Sequence, residues 1–392
     1  MSNAFNPDRR ALLRLAALGL PALLIKPGSL RAAQHQAAKA DRTLLLIELV
    51  GGNDGLNTLI PFEDSAYYKL RPKLAIPRDK TLPFAHGLGM HPALGPLQPL
   101  WREREMAAIQ GVGYPHPNRS HFRSIEIWET ASDAEQYLSD GWINRLLGQT
   151  PLPKGLPFHA LALGGGSNGL FEGEGLKFAL LDRRGEPPRL DERPLEAPEH
   201  VSNQALAHIL SVRKDLRKTA EALVDDKVRF ARPAAEFGKG RLGTALEAAA
   251  RLMIAGIRPP VIKVAQSTYD THANQALQHE ALLAELAAGI AAFRQAMSKI
   301  GLWDKVLIVT YSEFGRRAHE NASQGTDHGT AAPHFMFGGK VKGGLYGEAP
   351  SLADLKDGDL VHTTDFRSLY ATIAESWWDV TGLPGFKPIP CL

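Results

Sequence analysis

Apolar runs that stop at glycines or polar clusters recur along the chain and alternate with longer segments of helical periodicity. The first run, TLLLIELV at residues 43–50, ends at Gly51-Gly52. A continuous apolar stretch of that length fits a strand covered on both faces, as in a parallel sheet. MAAIQG at 106–111, FHALAL at 158–163, VIKVAQ at 261–266, KVLIVTY at 305–311 and HFMFGG at 334–339 repeat the pattern. Pro92 marks a helix start, with a kink expected further along. Residues 121–130 and 365–378 also read as helices. A long helix is predicted over 273–300, where Leu277, Leu282, Leu286, Ile290, Phe293 and Met297 fall close to one stripe. The alternation predicts an α/β fold, a three-layer sandwich with a mostly parallel central sheet. Over 182–260 charges of both signs crowd together, which predicts a helical insertion near the mouth of the site and no buried strand.

Composition narrows the partners. Basic residues number 45 against 42 acidic ones, a formal charge of +3 over 392 residues, so neither nucleic acid nor a charged membrane surface is implied. The single cysteine, Cys391, excludes an internal disulfide and a cysteine-based zinc site. The amino terminus reads PDRRALLRLAALGLPALLI. Its apolar run after Arg9-Arg10 is broken by Arg14, Gly19 and Pro21, and a spanning helix needs about 20 apolar residues. Paired arginines before such a run read as a twin-arginine export signal over 1–40, cleaved near Ala38-Lys39-Ala40. The expectation is one domain over 41–392, handled by the Tat export machinery, without a stable membrane span, and periplasmic or secreted.

Ligands of open α/β sheets sit beyond the carboxyl ends of strands, so the residues after each apolar run carry the candidate chemistry. Asp54 follows the first run within GGNDG, where an Asx turn is the plainer reading. Ser120 stands where a helix begins. It reads as an N-cap or, at the positive end of the helix, as a nucleophile. In YDTH, Asp270 and His272 point the same way along extended chain and can share one cation, zinc or manganese by donor type. Glu313 and Arg316 follow KVLIVTY. Arg316 reads as a clamp for an anionic substrate or as half of a structural ion pair. Asp327-His328 lies between glycines and suits a ligand pair, or a ligand with a supporting partner.

These residues in this order resemble the alkaline phosphatase/sulfatase superfamily. More closely, GGNDGLNTLIPF, GYPHPNRSHFRSIEIWE, YDTHANQ, YSEFGRR and GTDHGTAAPHFMFGGKVKGGLYG resemble an exported bacterial family catalogued as domain of unknown function 1501. The resemblance implies that Asp270, His272 and His328 hold one divalent metal. It places Asp54, Ser120 and Glu313 at a second, with Ser120 as nucleophile. Zinc comes first as the cation, then manganese or calcium. Phe314 stands where the superfamily usually has a histidine, so the second site lacks a nitrogen ligand unless Asp327 or His121 supplies the missing donor. The resemblance implies a metal-dependent hydrolase of small anionic phosphate or sulfate esters. The alternative is a non-catalytic exported metal-binding or assembly protein that keeps the fold.

Overall fold

A computed structural model describes residues 41–187 apart from His86, then Leu223 and residues 226–392 apart from Gly382. The paired arginines and much of the 182–260 span lie outside the described residues. Twelve strands are described. In chain order they are β1 (Thr43–Leu49), β2 (Leu59–Ile60), β3 (Leu82–Ala85), β4 (Leu88–Met90), β5 (Met106–Gly113) and β6 (Ala160–Leu163), followed by β7 (Phe178–Leu181), β8 (Val261–Gln266), β9 (Val306–Tyr311), β10 (Ala332–Phe337), β11 (Gly344–Tyr346) and β12 (Thr364–Asp365). The main sheet runs β11-β5-β10-β9-β1-β8-β6-β7, with β12 also on β5. Five neighbours, β9 through β7, are all parallel. Only β10 opposes its neighbours β5 and β9. β2, β4 and β3 form a small separate sheet.

All seven residues of β1 are buried because both faces of the sheet are covered. Leu45, Ile47 and Leu49 pack into one apolar cluster and Leu44 and Leu46 into another, as the period-2 alternation of a strand requires. The first cluster includes the helices Arg241–Ile254 and Gln275–Lys299, and the second includes His121–Thr130 and Trp142–Leu147. Helices therefore cover both faces, the three-layer arrangement that the sequence predicts. Each buried side chain of leucine size contributes about 1.5–3 kcal/mol.

Two expectations change. In the long helix Leu286, Ile290, Phe293 and Met297 are buried, whereas Leu277 is 78% exposed. The buried face there is continued by Gln275, His279 and Leu283 instead. At the end of the 182–260 span, the helix Arg241–Ile254 places Leu242, Ala245, Leu246, Ala249 and Leu252 in the core. Small alanines let it pack closely against the long helix. The Pro92 segment is a 3-10 turn, Pro92–Leu97, which passes into the α-helix Gln98–Arg102.

Candidate metal centre

Three parallel neighbours, β8, β1 and β9, deliver their following loops to one place. After β1, Gly51 and Gly52 adopt positive φ values of 116° and 87°. A side chain at Gly51 would strike the backbone of Asp270, so glycine permits the two loops to touch. Asp270 follows β8. Its Oδ1 lies 3.0 Å from His328 Nε2, 3.0 Å from His272 Nδ1 and 2.5 Å from Arg316 Nη2. Its Oδ2 faces His121 Nε2 at 3.5 Å. Burial alone would raise the Asp270 pKa, but Arg316 and the two imidazoles bring it below the ordinary carboxylate value.

His121 opens the helix that follows β5, and its ring is fixed from behind. Nδ1 lies 2.8 Å from Glu313 Oε1, which also accepts from the Gly51 N–H at 2.8 Å. His328 is fixed in the same way, Nδ1 lying 2.8 Å from the Arg119 carbonyl. A carbonyl oxygen accepts only, so Nδ1 of His328 carries a proton, and Nε2 either donates to Asp270 when the ring is charged or offers its lone pair to a cation when the ring is neutral. Both imidazoles thus turn Nε2 toward Asp270. One ligand atom from each of His121, Asp270 and His328 falls within 4.8 Å of the others. Phe314, buried after β9, packs its ring 5.0 Å from that of His121 and 4.7 Å from that of His328. It forms an apolar backing for the two imidazoles.

The residues singled out in sequence divide into two sets. Asp270, His272 and His328 meet, and Glu313 joins them through His121. His121 enters the metal-capable group, while His272 stands beside it on the shared oxygen. Glu313 supports His121 and is not in that group. Asp54 lies elsewhere, ion-paired with Arg71 at 2.6 Å and accepting from Gln275. Both partners of the Asp54–Arg71 pair are buried. Asp327 is exposed and accepts from the Asn321 amide at 3.1 Å. Arg316 is fully buried, and its guanidinium donates to the carbonyls of Gly51, Gly52, Tyr269 and Thr326 and to Asp270, the ion pair of its two readings. Ser120 stands at the N-cap position and is exposed, and its hydroxyl makes no capping hydrogen bond.

A second buried polar group escaped sequence reading. Lys263 on β8 lies 2.6 Å from Glu48 on β1, and both are almost fully buried. Glu129 lies near them at the end of the His121–Thr130 helix, its Oε2 accepting from Ser167 at 2.7 Å. The signal was present: two apolar strands, TLLLIEL and VIKVAQ, each carry one charge, and the charges are of opposite sign. A cavity of about 930 Å³ reaches from His121, Asp270 and Glu313 to Glu48, Glu129 and Ser167.

The family described as "Protein of unknown function (DUF1501)" matches residues 90–377, most of the chain and all three residues of the metal-capable group. The chain belongs to that family. No curated protein matches it. Solved structures similar to this DUF1501 protein include an alkaline phosphatase superfamily protein from Vibrio parahaemolyticus (TM-score 0.42, 12% identity, covering 88% of this chain and 69% of that one). A phosphonate monoester hydrolase of Agrobacterium radiobacter gives a TM-score of 0.38 at 11% identity, covering 88% and 78%. The C-terminal periplasmic domain of EcEptC from Escherichia coli, solved in complex with Zn, gives 0.35 at 10%, covering 88% and 84%. The likeness is distant at these scores.

Proposed function

We propose that this DUF1501 protein is an exported, metal-dependent hydrolase of phosphate or sulfate esters, with one divalent cation held by His121, Asp270 and His328. The observation that carries the reading is the shared aim of two imidazole Nε2 atoms at one carboxylate, each ring fixed through Nδ1. Two nitrogens and one carboxylate are the donor set of a zinc site with an open fourth position. Asp270 Oδ1 lies 3.0 Å from His328 Nε2 and Oδ2 lies 3.5 Å from His121 Nε2, and the three ligand atoms fall within 4.8 Å of one another, so a cation about 2 Å from each would draw the side chains together. A cation there supplies Lewis acidity toward an ester oxygen and lowers the pKa of a bound hydroxyl.

The chain's own residues carry the rest. Glu313 and the Arg119 carbonyl hold the rings, Phe314 keeps water from behind them, and Arg316 ties Asp270 to the sheet. The Ser120 hydroxyl, next to His121 and open to solvent, is the candidate nucleophile. Asp54 is committed to Arg71, which favours a one-metal site over a two-metal one. The binding or assembly reading draws its support from Arg316, a built-in cation already beside Asp270. The export part rests on Arg9-Arg10 and the broken apolar run after them. Elemental analysis of the protein purified without chelator, paired with hydrolysis of p-nitrophenyl phosphate and sulfate, tests the proposal. Bound divalent metal with chelator-sensitive hydrolysis supports it. Metal without turnover moves the protein to the binding reading, and absence of both ends the metal assignment.

A further inference from the structure

The cavity that meets the cluster has a lining of one dominant sign. Among the described residues six carboxylates border it, Glu48, Glu126, Glu129, Glu172, Asp270 and Glu313, and only His121 on its wall can carry positive charge. Four of the six are already matched. Asp270 has Arg316, Glu313 has His121, Glu48 has Lys263, and Glu126 has Arg123 at 2.9 Å. Glu172 is exposed to water.

Glu129 is different. It is only 4% exposed; Oε2 accepts from Ser167, and Lys263 and the Leu170 amide favour its charge from the protein side, yet Oε1 has no hydrogen-bond partner of its own. Gly169 stands where a side chain would collide with Oε2, so the loop packs on that oxygen, the one that Ser167 already serves. A buried carboxylate oxygen without a donor is unfavourable, and a ligand that brings a positively charged donor removes the penalty. Nearer the mouth, Phe122, which is 88% exposed, joins Ile125 and Leu138 in an apolar wall of the same cavity.

We propose that this cavity receives the non-reacting part of the substrate, and that this part carries an ammonium group on a short apolar stem, seated against Glu129. The inference rests on the hydrolase reading for the word substrate, but the cation seat stands on the cavity alone. The reacting anionic group and the ammonium group then occupy regions of opposite character, the histidines at one and Glu129 at the other. A second anionic group on the tail is disfavoured by the same lining.

The test is calorimetric titration of the whole chain with three probes of equal size: n-butylammonium, n-butanol and butyrate. The expected order places n-butylammonium first, about tenfold or more tighter than n-butanol, with butyrate last. Glu129→Gln should abolish the preference. Ser139→Lys, at an exposed position on the cavity wall, should abolish it too by supplying a tethered ammonium, whether or not the first variant folds. Equal binding of the three probes by the wild type overturns the proposal, as does a preference that survives in a folded Glu129→Gln or in Ser139→Lys. If n-butylammonium binds as expected but no ester is hydrolysed with any metal, the hydrolase reading falls and the cation seat remains. If esters with anionic tails are hydrolysed fastest and n-butylammonium does not bind, the reverse holds.

Discussion

His121 Nδ1 and Glu313 Oε1 lie 2.8 Å apart although 192 residues separate them in the chain. The bond decides which nitrogen of His121 faces Asp270. Replacing Glu313 with Gln keeps the size but removes the charge that favours a proton on Nδ1. Loss of such a partner typically weakens metal binding by about 10–100-fold. Zinc titration against a competing chelator should show a drop of that size at pH 7.5 with Tm nearly unchanged. Unaltered affinity would mean that His121 is not a ligand.

Two of the three proposed ligands, His121 and His328, should separate cleanly from the proposed nucleophile. His121→Ala and His328→Ala each remove one of three protein donors, so metal content should fall to near background in both. Ser120→Ala should retain the metal and lose ester hydrolysis. Elemental analysis of the four proteins, wild type included, checks this. Equal metal in wild type and His328→Ala would end the assignment.

Burial pushes the Glu129 carboxyl up to about 7, against the opposing influence of Ser167, Lys263 and the Leu170 amide. For an acid whose folded pKa is raised, the stabilising contribution is complete below its unfolded value near 4.5 and is lost as pH rises through 7. The loss is on the order of 3 kcal/mol across that window. Glu129→Gln cannot ionise and should flatten the fall of Tm between about pH 4.5 and 7, the window set by the same linkage. A variant curve parallel to that of the wild type would contradict this account.

Gly52 combines a φ of 87° with a Phe314 ring carbon only 2.6 Å from where a Cβ would stand. Gly52→Ala therefore meets backbone strain and a collision with the backing of the two imidazoles. The expected destabilisation is about 1–3 kcal/mol, measured by urea unfolding. Metal affinity should fall as well, since Phe314 cannot yield without moving His121 or His328.

Export is tested at the other end of the chain. A reporter fused after residue 40 should leave the cytoplasm folded, and the fusion with Arg9 and Arg10 both changed to Lys should stay behind. Normal export of the double-lysine form would remove the twin-arginine reading.

The parts of the fold legible in sequence were those with a local signature. β1, β8 and β9 are apolar on both faces and ended where glycine or polar residues predicted, and Asp270 and His328 fell at their expected loops. Long-range partners left no such mark. Nothing near Arg316 showed that four backbone carbonyls would surround it, and nothing near Asp54 pointed to Arg71. The crowded charges of the 182–260 span gave no sign that its last helix, Arg241–Ile254, carries an alanine-rich face buried in the core. Glu48 and Lys263 could have been paired in advance, since an isolated charge in a buried strand requires a partner.

The cluster is assembled from distant stretches of sequence, with Asp270 and His328 alone 58 residues apart. No short piece of the emerging polypeptide can gather these donors, so a cation could be held there only once the sheet is complete. If the chain is exported folded and binds a metal, as proposed, its site would be able to take up an ion before departure. An ion taken up then would reflect the supply and selectivity of the compartment of synthesis.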